Sequence, residues 1–339
     1  MEADRLSALP DELLHNVLSF LPASQAVRSS VLSRRWRRLW RSAPCLDVDI
    51  HDFVGNPNHW VRMEEWEKFA RFTDTLFLLH DAPSLDRLRL HFMVAMDPQA
   101  HQCSRWITDA VARLRPAALE VDVANLCKTQ PRLQPPPPPP PPAGSCGRRL
   151  RILRLTCVSL DEGFPGWVRA GCPALEDLAL AWCRVALREI ACGAELRRLA
   201  MEGCDDPLCH ASGLAIVGGS RLASLSLTFY PWVYNEGGVR VTEAESVVRA
   251  SIRVAGREAN ARFAESIWKL FDVRHLELSG SQMMAILRKE SKKFQTFHNI
   301  RTLLIGDCDM KINGNIQALG LFLQKTPGLQ RLTLQHHML

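Results

Sequence analysis

A chain of 339 residues, 47% hydrophobic and 23% charged, is long enough for two domains or one long repeat array. Its balance is that of a globular protein, not of a disordered one. The formal net charge is +6, and Arg34, Arg35, Arg37, Arg38 and Arg41 account for almost all of it. The rest of the chain is close to neutral, which argues against the broad basic footprint of a nucleic-acid binder. No apolar run reaches the eighteen or so residues of a membrane span. The start, Met-Glu-Ala-Asp-Arg, lacks the basic and apolar regions of a secretory signal, so nucleus or cytoplasm is the expected compartment.

The first element spans Leu9 to Leu21. Leu9, Leu13, Leu14, Val17, Leu18 and Leu21 recur at helical spacing and predict one apolar stripe. Pro10 suits the first turn, and Asp11 and Glu12 follow where a helix favours negative charge. Pro22 is expected to close this helix. Val27, Val31, Leu32, Trp36, Leu39 and Trp40 continue the apolar set, giving three short helices with more apolar surface than they can bury among themselves. The arginine run interleaved with Trp36, Leu39 and Trp40 reads as a solvated helix face; a localisation signal or an RNA-contacting patch is the alternative.

The string LPDELL, VLSFLP and AVRSSVLSRRWRRLW, in that order, resembles an F-box of the type found in plant F-box/leucine-rich-repeat proteins, over residues 6–50. The resemblance implies binding to a Skp-type adaptor and, through it, to a cullin in a ubiquitin ligase. The adaptor-contacting residues it implies are Leu9, Pro10, Leu13, Leu14, Leu18, Val31, Leu32 and Trp36.

Two helical stripes come next: Trp66, Phe69, Phe72 and Leu76, then Trp106, Ile107, Ala110, Val111 and Leu114. From residue 85 a pattern of apolar, two variable, apolar, one variable, apolar recurs. Its instances run from Leu85-Leu88-Leu90 through Leu150-Leu153-Leu155, Leu175-Leu178-Leu180, Leu196-Leu199-Met201 and Leu222-Leu225-Leu227. They continue through Val247-Ala250-Ile252, Val273-Leu276-Leu278, Ile300-Leu303-Ile305 and Leu329-Leu332-Leu334, with a weaker unit at Leu119-Val121-Val123. The spacing of 21 to 29 residues is that of leucine-rich repeats, each a strand plus a connecting helix or turn. One unit cannot bury its own apolar edge, so the units must stack. Cys183, Cys204 and Cys308 fall three residues after the third apolar position, where a small buried side chain that bonds backbone is needed. Cys157 is one residue early.

The predicted fold is α/β: a three-helix F-box over 1–50, then a leucine-rich-repeat solenoid with a curved parallel sheet over 51–339, of about nine or ten repeats. Segments 64–79, 78–90 and 105–114 resemble the region after the F-box in the same plant family, and 294–339 resembles its FBD-type ending. Pro135 to Pro142 is an uninterrupted proline run, an extended loop of about 25 Å that no sheet can contain. It reads as a tolerated insertion, with a docking site for a proline-recognising domain as the alternative.

Strand alternation places Arg87, Arg89, Arg154, Ala179, Ala200, Ser226 and Ser251 on the open sheet face, and these are the candidate target-binding residues. The early repeats look basic and the centre small, so a partner with an acidic portion is expected near Arg87, Arg89 and Arg154. There is no Gly-x-Ser-x-Gly elbow, phosphate loop or His-Glu-x-x-His helix, and no Cys-x-x-Cys pair. No catalytic residue, metal ligand or cofactor is therefore expected. The functional expectation is a substrate receptor of an SCF-type ubiquitin ligase, with a non-ligase interaction scaffold as the alternative.

Overall fold

The structure, a computed structural model, describes residues 9–55, 60–125, 129–134, 149–185, 189–204, 214–230, 239–255, 273–291, 294–307 and 314–335. The proline run and Cys308 lie outside the described residues. The chain divides into two compact units, 1–158 and 159–339.

The first unit opens with α1 (Asp11–Leu18), α2 (Ala23–Arg28) and α3 (Trp36–Leu39). Pro10 and Pro22 occupy the N-cap positions of α1 and α2, both extended, and each carbonyl accepts a first helical bond. Pro22 thus starts the second helix; α1 has already ended at Leu18. The expected single stripe also divides. Leu14 and Leu18 are buried with Trp36, Leu39 and Trp40, while Leu13 and Val17 face outward. The five residues Cys45–Asp49 then form β1, and Leu46 and Val48 begin the buried columns one strand earlier than the repeat pattern predicts.

Strands β2 (Arg87–Val94), β3 (Ala118–Asn125) and β4 (Ile152–Thr156) pair in parallel after β1, in chain order. Parallel neighbours need a crossover, supplied here by α4 (Met63–Leu79) and α5 (Asp97–Asp109). The helical stripes become the core between them: Trp66, Phe69, Phe92 and Trp106 form a ring cluster with centroids 5.5–6.1 Å apart. Such aromatic pairs add about 0.5–1.5 kcal/mol each beyond burial.

Among the described residues of the second unit, one sheet runs in parallel through β5 (Asp177–Ala181), β6 (Arg198–Glu202), β7 (Ser224–Phe229), β8 (Arg249–Val254), β9 (His275–Ser279), β10 (Thr302–Ile305) and β11 (Arg331–Leu334). Their registers align the repeat positions: Leu178, Leu199, Leu225, Ala250, Leu276, Leu303 and Leu332 are one lateral column. All but Leu332, on the last strand, are buried. A fully buried Leu contributes about 1.5–3 kcal/mol. A second parallel sheet of short strands, 189–191, 214–217 and 239–242, also lies in the second unit, which the sequence pattern does not announce. Later repeats use α6 (Met283–Glu290) and α7 (Asn315–Gln324) instead.

The turn leaving a strand is itself repeated. Cys157, Trp182, Gly203, Glu243, Gly280 and Asp307 follow strands with φ between +53° and +97°. Cys183 and Cys204 are buried just after two of these turns, and their thiols donate to Ala181 O and Leu180 O at 3.4 Å. That is the small, backbone-bonding side chain expected from the repeat.

Candidate functional site

Two surfaces can be built from the residues upward. The first lies on the N-terminal helices. Asp11 Oδ1 accepts from Arg35 Nη2 at 2.5 Å, tying the start of α1 to the residue before α3. His15 Nε2 lies 3.3 Å from Leu39 O and 3.2 Å from Ser42 Oγ, tying the other side of α1 to the end of α3. Leu14, Leu18 and Trp36 fill the interior and cannot touch a partner. Their part in any contact is to hold the helices in place.

The residues that remain outside are apolar. Leu13 is 48% exposed, Phe20 85%, Val31 86% and Leu32 61%, joined by Val17 and Pro10; Leu9 is half-buried. Isolated exposed apolar side chains are ordinary, but several large ones within one small helical module mark an interaction surface. Thus Leu9, Pro10, Leu13, Val31 and Leu32 are available to a partner, whereas Leu14, Leu18 and Trp36 are not. Sequence reading passed over Phe20. The available signal was a Phe between two helix ends, where no core position existed for it. Of the arginine cluster, Arg35 pairs with Asp11 and Arg41 with Asp81, while Arg34, Arg37 and Arg38 are exposed.

The second surface is the open face of the strands. In the second unit, Ala179, Ala200, Ser226 and Ser251 stand side by side in register, followed by Glu277, Leu304 and Thr333. In the first unit the row reads Asp47, Arg89, Glu120, Arg154. This corrects the expectation of a basic start. Arg89 Nη1 meets Asp47 Oδ2 and Arg154 Nη1 meets Glu120 Oε1, each at 3.3 Å. Alternating signs neutralise the row; the sequence pattern missed this because Asp47 lies on a strand before the first repeat and Glu120 within the weaker Leu119 unit. Arg87 Nη2 donates to Ser19 O at 3.3 Å, which anchors the sheet to the end of α1. Burial pushes the Asp47 carboxyl above its ordinary value, with Arg89 acting in the opposite sense.

One row further along, β1, the turn after it and β2 bring Asp49, His51 and His91 together, a set able to hold a metal ion. Residues forty positions apart give no spacing signal, so no motif search finds this set. Cys45 and Cys192 are poor candidates for chemistry: burial raises the Cys45 thiol and pushes that of Cys192 up to about 12.

Comparison with known proteins agrees with this geometry. The family profile described as F-box domain matches residues 6–47. The meiotic F-box protein MOF of Oryza sativa subsp. japonica is 34% identical over 367 residues, covering 98% of this chain and 71% of that protein. A putative F-box/FBD/LRR-repeat protein of Arabidopsis thaliana is 27% identical over 354 residues, covering 98% of this chain and 75% of its own length. Another F-box/FBD/LRR-repeat protein of Arabidopsis thaliana is 33% identical over 198 residues, covering 53% of this chain and 41% of itself. An N-terminal F-box, parallel strands at leucine-rich-repeat spacing and similarity over 98% of the chain converge: this chain belongs to the plant F-box/leucine-rich-repeat proteins with an FBD segment.

Proposed function

We propose that this protein is the substrate-recognition subunit of an SCF-type cullin ubiquitin ligase. The N-terminal helices bind a Skp-type adaptor, the adaptor links to the cullin, and the strand faces select the target protein. The receptor performs no bond chemistry of its own; it raises the target's effective concentration at the ligase. The observation that carries this reading is the outward-facing apolar set, Leu13, Val17, Phe20, Val31 and Leu32, inside the segment that matches the F-box.

The strands of each unit are parallel and in register, which supports stacking as a leucine-rich-repeat solenoid. Small side chains at Ala179, Ala200, Ser226 and Ser251 leave room for a target's side chains. Arg87, Arg89 and Arg154 are engaged within the chain, so the proposal weights the target site toward the small-residue row. We place this activity in the nucleus or cytoplasm, which imaging of a fluorescent fusion tests.

The deciding experiment is capture of a purified Skp-type adaptor by the full chain, comparing wild type with Leu13→Asp and Val31→Asp. Both positions are exposed, so thermal unfolding should be unchanged while capture falls. Losing one buried Leu at the interface is worth about 1.5–3 kcal/mol, roughly tenfold or more in affinity. No capture by folded wild type would favour an interaction scaffold outside the ligase. Ala200→Trp and Ser226→Trp test the target row: unchanged capture of an identified target would remove it.

A further inference from the structure

We propose that Asp49, His51 and His91 form a binding site for one divalent transition-metal ion of the Zn2+ class, with Asp122 as the neighbouring carboxylate. Asp49 is the last residue of β1, and His91 is its lateral partner on β2. Asp122 is the lateral partner of His91 on β3. Strand alternation therefore puts carboxylate, imidazole and carboxylate in one row on one face. His51 enters from the turn that follows β1 and closes over this row. Its backbone N–H donates to Asp49 Oδ1 at 2.9 Å, and its Nδ1 lies 2.8 Å from the same oxygen. This pairing holds the His51 and Asp49 donors side by side at the end of the row. The two imidazole rings meet edge to face with centroids 4.9 Å apart. One donor atom from each of Asp49, His51 and His91 lies within 4.8 Å of the others.

Two observations favour a cation at this cluster. His91 Nδ1 is buried and has no hydrogen-bond partner; Asp122 Oδ2 is 3.7 Å away, beyond hydrogen-bonding range. Asp47 Oδ1, one row down on the same face, is also buried without a partner. Arg89, the guanidinium paired across this face, is held by Asp47 and not by the cluster. Imidazole nitrogen with carboxylate oxygen is a borderline donor set that suits Zn2+ better than Ca2+ or Mg2+, which prefer oxygen alone. Ligands about 2.0–2.2 Å from the ion stand roughly 3.4 Å apart in a tetrahedron. Rotation of half-buried side chains covers the difference from 4.8 Å. All four residues are half-buried or more exposed, so an ion can enter from solvent.

The test uses the full chain, stripped with a chelator and titrated with ZnCl2 by calorimetry. Binding of one equivalent is expected, weakened at least tenfold in His51→Gln and in His91→Gln. A Cys45→Ser variant should bind as wild type, and the Co2+-loaded chain should show ligand-field bands without a thiolate charge-transfer band. His51 sits on a turn, so His51→Gln keeps the test valid if His91→Gln fails to fold. Absence of saturable binding by the wild type would overturn the proposal. So would Zn2+ affinity unchanged in His51→Gln, or a Co2+ spectrum dominated by thiolate.

Discussion

Leu13 and Leu14 are adjacent on α1 and face opposite worlds: Leu13 is 48% exposed, while Leu14 is wholly buried. One step around a helix is enough to separate a partner-facing residue from a core residue. Leu14→Ala should therefore cost about 2–5 kcal/mol of stability through the cavity it leaves. Leu13→Ala should stay within about 0.5 kcal/mol, as at other exposed positions. Denaturant unfolding of the two variants reads the difference directly. Equal losses would mean that α1 is oriented differently.

Two glycines should respond to alanine with opposite sign. Gly280 follows β9 at φ +97°, and a Cβ there would lie 2.2 Å from the Val254 carbonyl oxygen. Gly280→Ala combines a left-handed strain with a backbone clash, so a loss of at least about 1–3 kcal/mol is expected. Gly320 is exposed within α7, and nothing lies within 4 Å of a Cβ there. Gly320→Ala should stabilise by about 0.5–1 kcal/mol through helix propensity. Melting temperatures of the pair are the check.

His80 supplies a pH dependence. Burial pushes its imidazole below its ordinary value of 6.5, against the opposing effects of Ala43 O, 3.1 Å from Nε2, and of Asp81. Its Nδ1 is buried without a partner. Below that ordinary value the unfolded chain takes up the proton more readily than the folded one, so stability falls as pH drops. Above it the contribution is fully present. Chemical unfolding on either side of that pH should show a steeper loss for wild type than for His80→Gln. Equal slopes would discount His80.

Cys192 should be inert in the folded chain. Its thiol is pushed up to about 12, so almost none is thiolate near neutral pH. Iodoacetamide should label it only after unfolding, as mass spectrometry of the digested chain would show. Rapid labelling of the native chain would contradict that burial.

The parallel sheet was legible because its signal is local and repeated. Leu178 and Leu180 have the same spacing as Leu199 and Met201, and each set needs only burial on one face to become a strand. The left-handed turn after these strands was half legible, through Cys183 and Cys204. The short second sheet was not, since Ile190, Ile216 and Val241 sit in stretches too brief to show a period.

What the sequence alone determined is therefore the repeat, the N-terminal helical module and the family, all carried by patterns shorter than fifty residues. Tertiary structure decided which side of α1 remains for a partner, because packing against Trp36 and Leu39 chooses Leu14 over Leu13. It also decided the charge of the sheet face and the meeting of Asp49, His51, His91 and Asp122. Those properties arise when strands from separate repeats come into register, where lateral distances of about 5 Å replace forty residues of chain.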